Sequence, residues 1–139
     1  LLSYGYVILS GLLTGLLQAA GLEAYLGFYH TGANRNQPAL ALDMLEEFRH
    51  PIVDRFVMYL IHKNCLQLSH FDKKLTSFML NAPGRKIFFT QWDKWLQTEQ
   101  SLERNSRIKP LELFGRQIDR LSAWLKQKDQ NYKPFILEA

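Results

Sequence analysis

The sequence predicts an all-α protein folded as one helical domain. Apolar residues recur at spacings of three and four through most of the chain, and the prolines stand where helices begin or restart. At 139 residues and 47% apolar content the chain can bury one sizeable core. No repeat of fixed period and no low-complexity run interrupts that pattern.

Leu1 to Leu22 holds no charged residue and is long enough to cross a bilayer. No Lys or Arg cluster flanks it, Ser3, Tyr4, Ser10, Thr14 and Gln18 recur through it, and the basic start of a signal peptide is missing. A core helix over residues 2–20 is therefore expected, with no membrane. Gly11 and Gly15, one turn apart, should form a face that another helix can approach, and Gly21 should end the helix. Because the chain opens on Leu rather than Met, it is expected to be part of a longer polypeptide.

Residues 22–28 (LEAYLGF) suit a further short turn, which places His30 beside the polar loop TGANRNQ. Pro38 then opens a second helix, Ala39 to Arg49. His50-Pro51 predicts a kink or a restart, since a residue before proline is pushed out of the helical region. From Pro51 to about Lys63, Ile52, Val53, Phe56, Val57 and Leu60 make an apolar face.

Residues 66–82 are the least regular part and fit a short hairpin or an irregular loop. Pro83-Gly84 precedes a helix from Arg85 to about Gln100, with Phe88, Trp92, Trp95 and Leu96 inward. After the polar stretch SLERNSRIK, Pro110 opens a last helix to about Lys128, with Leu111, Phe114, Ile118, Leu121 and Leu125 as its stripe. Glu112 and Arg116 could pair across one of its turns. The tail YKPFILEA either tucks its apolar residues against the domain or hangs free.

Net charge is +4, unevenly spread. Residues 1–34 carry only Glu23, residues 35–62 carry three Arg against four acids, and residues 63–139 carry fourteen basic groups against eight acids. The basic half suits a polyanion, nucleic acid or an anionic membrane, although a solvated surface has the same signature. Cys65 stands alone, which excludes an intrachain disulfide and a tetracysteine zinc site and fits a reducing cytoplasm. There is no phosphate-binding glycine loop, serine elbow or zinc spacing. Cys65, His62 and His70 read as packed or boundary residues, and Trp92, Trp95 and Trp124 as core rather than base-stacking groups.

The negative charge gathers in one place. On an uninterrupted helix, Asp43, Glu46, Glu47, His50 and Asp54 project within an arc of about 100°. Like charges one turn apart repel by roughly 0.2–0.5 kcal/mol per pair. Two compensations are open: ion pairs with Arg35, Arg49 and Arg55, or a hard divalent cation held by carboxylates and one imidazole, with His30 arriving from the adjacent loop.

Two stretches taken together, LLSYGYVIL and GLEAYLGFYH followed by PALALDMLEEFRHPIVDR, resemble the C-terminal helical domain of the CRISPR-associated spacer-acquisition integrase, the adaptation endonuclease of CRISPR systems. That family's wording runs close to N-x-x-L-N-Y-G-Y, then G-L-x-x-x-x-G-F-x-H, then S-L-A-L-D-L-M-E-E-F-R-P-x-x-x-D-R. Order and spacing agree, and the likeness extends to the final YKPF. Ser3 stands where the family usually has Asn, and His50 is inserted between Arg and Pro.

The resemblance implies a C-terminal α-helical catalytic domain over residues 1–139, without the family's N-terminal β-domain. It implies His30 and Glu46 as catalytic metal ligands for Mg2+ or Mn2+, and Asp43 as a ligand or a close supporting carboxylate. Arg49 and Asp54-Arg55 would brace them. The implied partners are double-stranded DNA (prespacer and CRISPR repeat), the small companion adaptation protein, and a second copy in the intact parent. The implied reaction is spacer insertion by attack of a DNA 3′-hydroxyl on a phosphodiester. For DNA backbone contact, the candidates are Lys73, Lys74, Arg85, Lys86, Arg104, Arg107 and Lys109. In the family a further glutamate ligand precedes the YGY segment, outside this chain, so a catalytically incomplete helical module binding DNA or protein is the alternative. A membrane-associated helical protein is the third reading.

Overall fold

In a computed structural model the described residues are 1–24, 39–126 and 131–137. Among the described residues, five α-helices carry the fold: α1 (Leu2–Ala19), α2 (Ala39–Phe48), α3 (Arg55–His62), α4 (Ala82–Gln97) and α5 (Pro110–Leu125). Two antiparallel hairpins join them, β1–β2 (Phe71–Lys74 and Ser77–Leu80) and β3–β4 (Gln100–Glu103 and Ser106–Ile108). The all-α expectation is corrected by these hairpins. The first lies where a hairpin or loop was expected. The second occupies a stretch read only as polar, and its turn uses Asn105 at φ 62° instead of a glycine.

Local chemistry accounts for the helix ends. Gly21 sits at φ +75° just beyond α1, a conformation that glycine adopts without steric cost. Asn81 caps α4 by accepting a hydrogen bond from the Gly84 N–H at 3.0 Å, and Pro110 opens α5.

Pro51 does not restart the helix. Instead Arg49–Asp54 form a π-helical segment that leads from α2 into α3. Proline cannot donate the usual i→i−4 bond and its ring crowds that carbonyl, and a widened turn accommodates both defects.

The core collects Leu9, Leu13 and Leu17 from α1, Met44 and Phe48 from α2, Ile52 and Val53 from the π segment, Phe56 and Leu60 from α3, Phe88 and Trp92 from α4, and Leu113, Phe114 and Leu121 from α5. Phe56 lies at its centre, edge-on to Phe88 at 5.2 Å and to Trp92 at 5.0 Å. On α5 the buried set includes Leu113 and Gln117, whereas Leu111 and Leu125 are exposed, so the expected stripe is rotated. Arg116 pairs with Glu103 on β3 rather than with Glu112.

Only one face of α1 is buried, at Gly5, Leu9, Leu13 and Leu17. By length and composition α1 could cross a membrane, and only 22% of it is covered. The close approach expected at Gly11 and Gly15 occurs at Gly5. A Cβ there would stand 2.6 Å from Val53 Cγ1, whereas nothing lies within 4 Å of one at Gly11.

Opposite effects are expected from the same substitution at these two glycines. Alanine is favoured over glycine in a helix by about 1 kcal/mol, so Gly11→Ala should raise Tm by roughly 3 °C. At Gly5 the new methyl meets a stiff β-branched side chain, and overpacking of about 1–3 kcal/mol offsets or exceeds that gain. Circular dichroism melts of Gly5→Ala should therefore show a lower Tm. Equal rises in both variants would refute the close seating of α1 on the π segment.

Candidate metal face and nucleic-acid surface

The acidic residues do not form one stripe. The π segment changes the helical phase, and neighbouring carboxylates turn to different elements. Glu47 accepts hydrogen bonds from Gln117 Nε2 at 2.9 Å, Tyr132 Oη at 2.6 Å and the Phe135 backbone N–H at 2.8 Å. It thus fastens α5 and the C-terminal tail to α2. Phe135 is 8% exposed and stacks on Phe48 at 5.8 Å, so the tail is tucked against the domain. Burial, followed by the bond to Glu47, pushes the Tyr132 hydroxyl pKa far above its usual value.

Asp54 points instead toward α1, accepting from Tyr6 Oη at 2.6 Å with His50 Nδ1 at 3.5 Å. That bond raises the Tyr6 pKa, so the phenol remains protonated as the donor.

Glu46 remains on the exposed side of α2, one turn after the half-buried Asp43. Both of its oxygens accept from Arg49 Nη1 at 3.2 Å. The Arg49 guanidinium also lies 4.6 Å from the Tyr6 ring centroid. Its pKa is raised, first by the Glu46 bond. With the Glu46 and Arg49 side chains 56% and 45% exposed, this ion pair is worth about 0–1 kcal/mol and exchanges readily for a stronger partner.

The donor chemistry of Asp43 and Glu46 fits a hard divalent cation. Among the described residues, however, no group of three or more His, Cys, Asp or Glu side chains could hold a metal. His30 and Arg35 lie outside the described residues.

The basic candidates divide into two groups. Lys73 and Lys74 are exposed on β1, and Arg85 and Lys86 on the first turns of α4, with Arg85 Nη1 donating to Leu80 O at 2.8 Å. Arg104 and Arg107 are exposed on the β3–β4 hairpin, Arg107 Nη2 donating to Glu99 O at 2.8 Å, and Lys109 is half-buried just before α5. The two hairpins sit at opposite ends of α4, whose 16 residues span roughly 24 Å. The two basic groups are therefore separated by the length of α4 rather than gathered in one compact patch.

Beside the second group, Arg104, Arg120 and Lys133 line an open cleft of about 590 Å³ with Glu103 and Phe135. Arg120 and Lys133 lacked a sequence signal, because the cleft forms only when the tail docks. Of the remaining singled-out residues, Cys65 is half-buried against the core, His62 is exposed, and His70 Nδ1 accepts from the Gln67 backbone N–H at 2.9 Å.

The family model described as CRISPR associated protein Cas1 matches residues 1–94. The chain belongs to the Cas1 family. Among Cas1 relatives, the CRISPR-associated endonuclease Cas1 1 of Thermus thermophilus is 37% identical over 137 residues, which is 98% of this chain and 42% of the relative. The CRISPR-associated endonuclease Cas1 of Leptospira interrogans is 44% identical over 87 residues, 62% of this chain and 34% of that one.

Two solved structures share the fold. A casposase bound to integration product has a TM-score of 0.83 at 23% identity, covering 99% of this chain and 40% of its own. A CAS1 protein from Thermotoga maritima has a TM-score of 0.78 at 23% identity, covering 92% and 40%. The chain thus spans about two fifths of the length of these relatives.

Proposed function

We propose that this chain is the C-terminal catalytic part of a metal-dependent DNA endonuclease and integrase of CRISPR adaptation, inserting new spacers into the array through attack by a DNA 3′-hydroxyl. The observation that carries the reading is the placement of Glu46: in a Cas1-family chain it is presented to solvent on α2, one turn from Asp43, while its neighbour Glu47 is consumed by the fold.

His30, Glu46 and Asp43 would hold Mg2+ or Mn2+, joined by the further glutamate that the family resemblance places outside this chain. Such an ion, when bound, lowers the pKa of an attacking hydroxyl and neutralises charge on the phosphorus oxygens. Arg49, whose guanidinium also lies over the Tyr6 ring, pairs with Glu46 and would release its oxygens to the cation. The two basic groups hold the DNA backbone without reading sequence. Prespacer and repeat duplexes, the companion adaptation protein and a second copy of the parent are the proposed partners, and the cytoplasm is the proposed location.

Joining of duplexes with free 3′-hydroxyls, measured on the polypeptide that carries this chain, tests the proposal. Products are expected with Mg2+ or Mn2+ and none with excess EDTA. The alternative, a catalytically incomplete DNA- or protein-binding module, predicts no joining in either condition and salt-sensitive DNA binding that EDTA leaves unchanged.

A further inference from the structure

The β1–β2 hairpin presents apolar groups to water in an orderly way. Leu75 is fully exposed at the turn, Phe78 is 66% exposed and Met79 51%. Phe78 stands directly opposite Lys73 in the antiparallel register, and Phe71 opposite Leu80. Alternation along the strands puts these four residues on one face. Phe71 and Leu80 are half-buried at the base, leaving the cross-strand partners Phe78 and Lys73 farther out on the same face.

The hairpin is also held firmly. Asn81 bonds back across its base twice, N–H to His70 O at 3.0 Å and Nδ2 to Ser69 O at 2.8 Å. Gly84 packs against the His70 carbonyl so closely that a Cβ would collide with it, and Arg85 grips the Leu80 carbonyl. None of Leu75, Phe78 or Met79 belongs to the buried core. The surrounding stretch is strongly basic: residues 62–86 contain Lys63, Lys73, Lys74, Arg85 and Lys86 against Asp72 alone.

Resting on the DNA reading above, we propose that this hairpin is a base-stacking finger. Phe78, with Leu75 at the tip, receives an unpaired base at a DNA end or branch, while Lys73 on the same face holds the adjoining phosphate. An aromatic ring beside a cation meets both faces of a nucleotide's chemistry, π surface and phosphate. Base pairs in the interior of a duplex offer the ring no such surface. Three protruding apolar residues make a small membrane anchor, whereas five local cations suit a polyanion.

The test is fluorescence anisotropy of the polypeptide that carries this chain, with a labelled blunt duplex and with the same duplex carrying a short single-stranded overhang. The wild type should prefer the overhang. Phe78→Ala should weaken overhang binding about tenfold and leave blunt binding unchanged, and Phe78→Trp should keep the preference. Lys73→Ala should weaken both DNAs and flatten the salt dependence by about one phosphate contact.

If Phe78→Ala binds both DNAs like wild type while the lysine variant is weakened, the finger is overturned and DNA binding stands. If the wild type binds neither DNA, both readings fall. Loss of binding to phosphatidylserine vesicles on Phe78→Ala, with DNA binding unaltered, would overturn the finger in favour of a lipid surface.

Discussion

Glu47→Ala is expected to lower stability by roughly 3 kcal/mol, a fall of about 10 °C in Tm. The carboxylate accepts three hydrogen bonds, and two of them tie in a tail 85 and 88 residues away in sequence. Its removal strips the Tyr132 hydroxyl and the Phe135 N–H of their acceptor and frees Phe135 from its stack on Phe48. An unpaired buried donor costs about 1–3 kcal/mol, and each lost bond to a charged group acts in the same direction. Limited proteolysis should then cut before Phe135, and the melting curve should shift. A Tm within 2–3 °C of wild type, where a cost under about 1 kcal/mol would leave it, would contradict the clamp.

Glu46→Ala should have the opposite profile. The side chain is exposed and its pair with Arg49 is worth less than about 1 kcal/mol, so Tm should move by no more than a few degrees. DNA joining, in contrast, should fall on the order of a thousandfold, the effect of removing about 4 kcal/mol of metal-borne transition-state stabilisation. Joining at wild-type rates in the variant would remove Glu46 from the chemistry. A large loss of helical signal would reassign it to the fold. The two adjacent glutamates therefore separate structural from chemical roles in a single pair of variants.

Helical spacing alone did not tell the two glutamates apart; only the family resemblance singled out Glu46, and the structural tie of Glu47 had no signal at all. Glu46 and Glu47 look alike on a helical projection, and the partners of Glu47 come from α5 and the tail, which no local pattern connects to α2. The uninterrupted helix assumed for the acidic stripe fails at Pro51 for a specific reason: the missing N–H is absorbed by a π turn, not a break, and Asp54 is carried toward Tyr6. Signals confined to a few residues were readable. Gly21 and Pro110 stand at helix boundaries as expected, and the spacing of Ile52, Val53, Phe56, Val57 and Leu60 gave the buried face that carries α3.

Contacts between distant segments were not. Nothing around Gly5 distinguishes it from Gly11, and the closeness of Val53 is a product of packing. The β3–β4 hairpin was missed because its turn, Arg104-Asn105, lacks the glycine that marks such turns most strongly. The Cas1 family was readable because its motifs are compound and ordered, and the match over residues 1–94 spans all of them except the tail.

The most direct measurement is diffraction from crystals soaked in Mn2+, with data collected at the manganese absorption edge. The account predicts an anomalous peak about 2.0–2.4 Å from a Glu46 carboxylate oxygen and from an imidazole nitrogen of His30, with Asp43 as ligand or hydrogen-bonded support. Glu46 still bound to Arg49, His30 turned elsewhere and no manganese near either would contradict it.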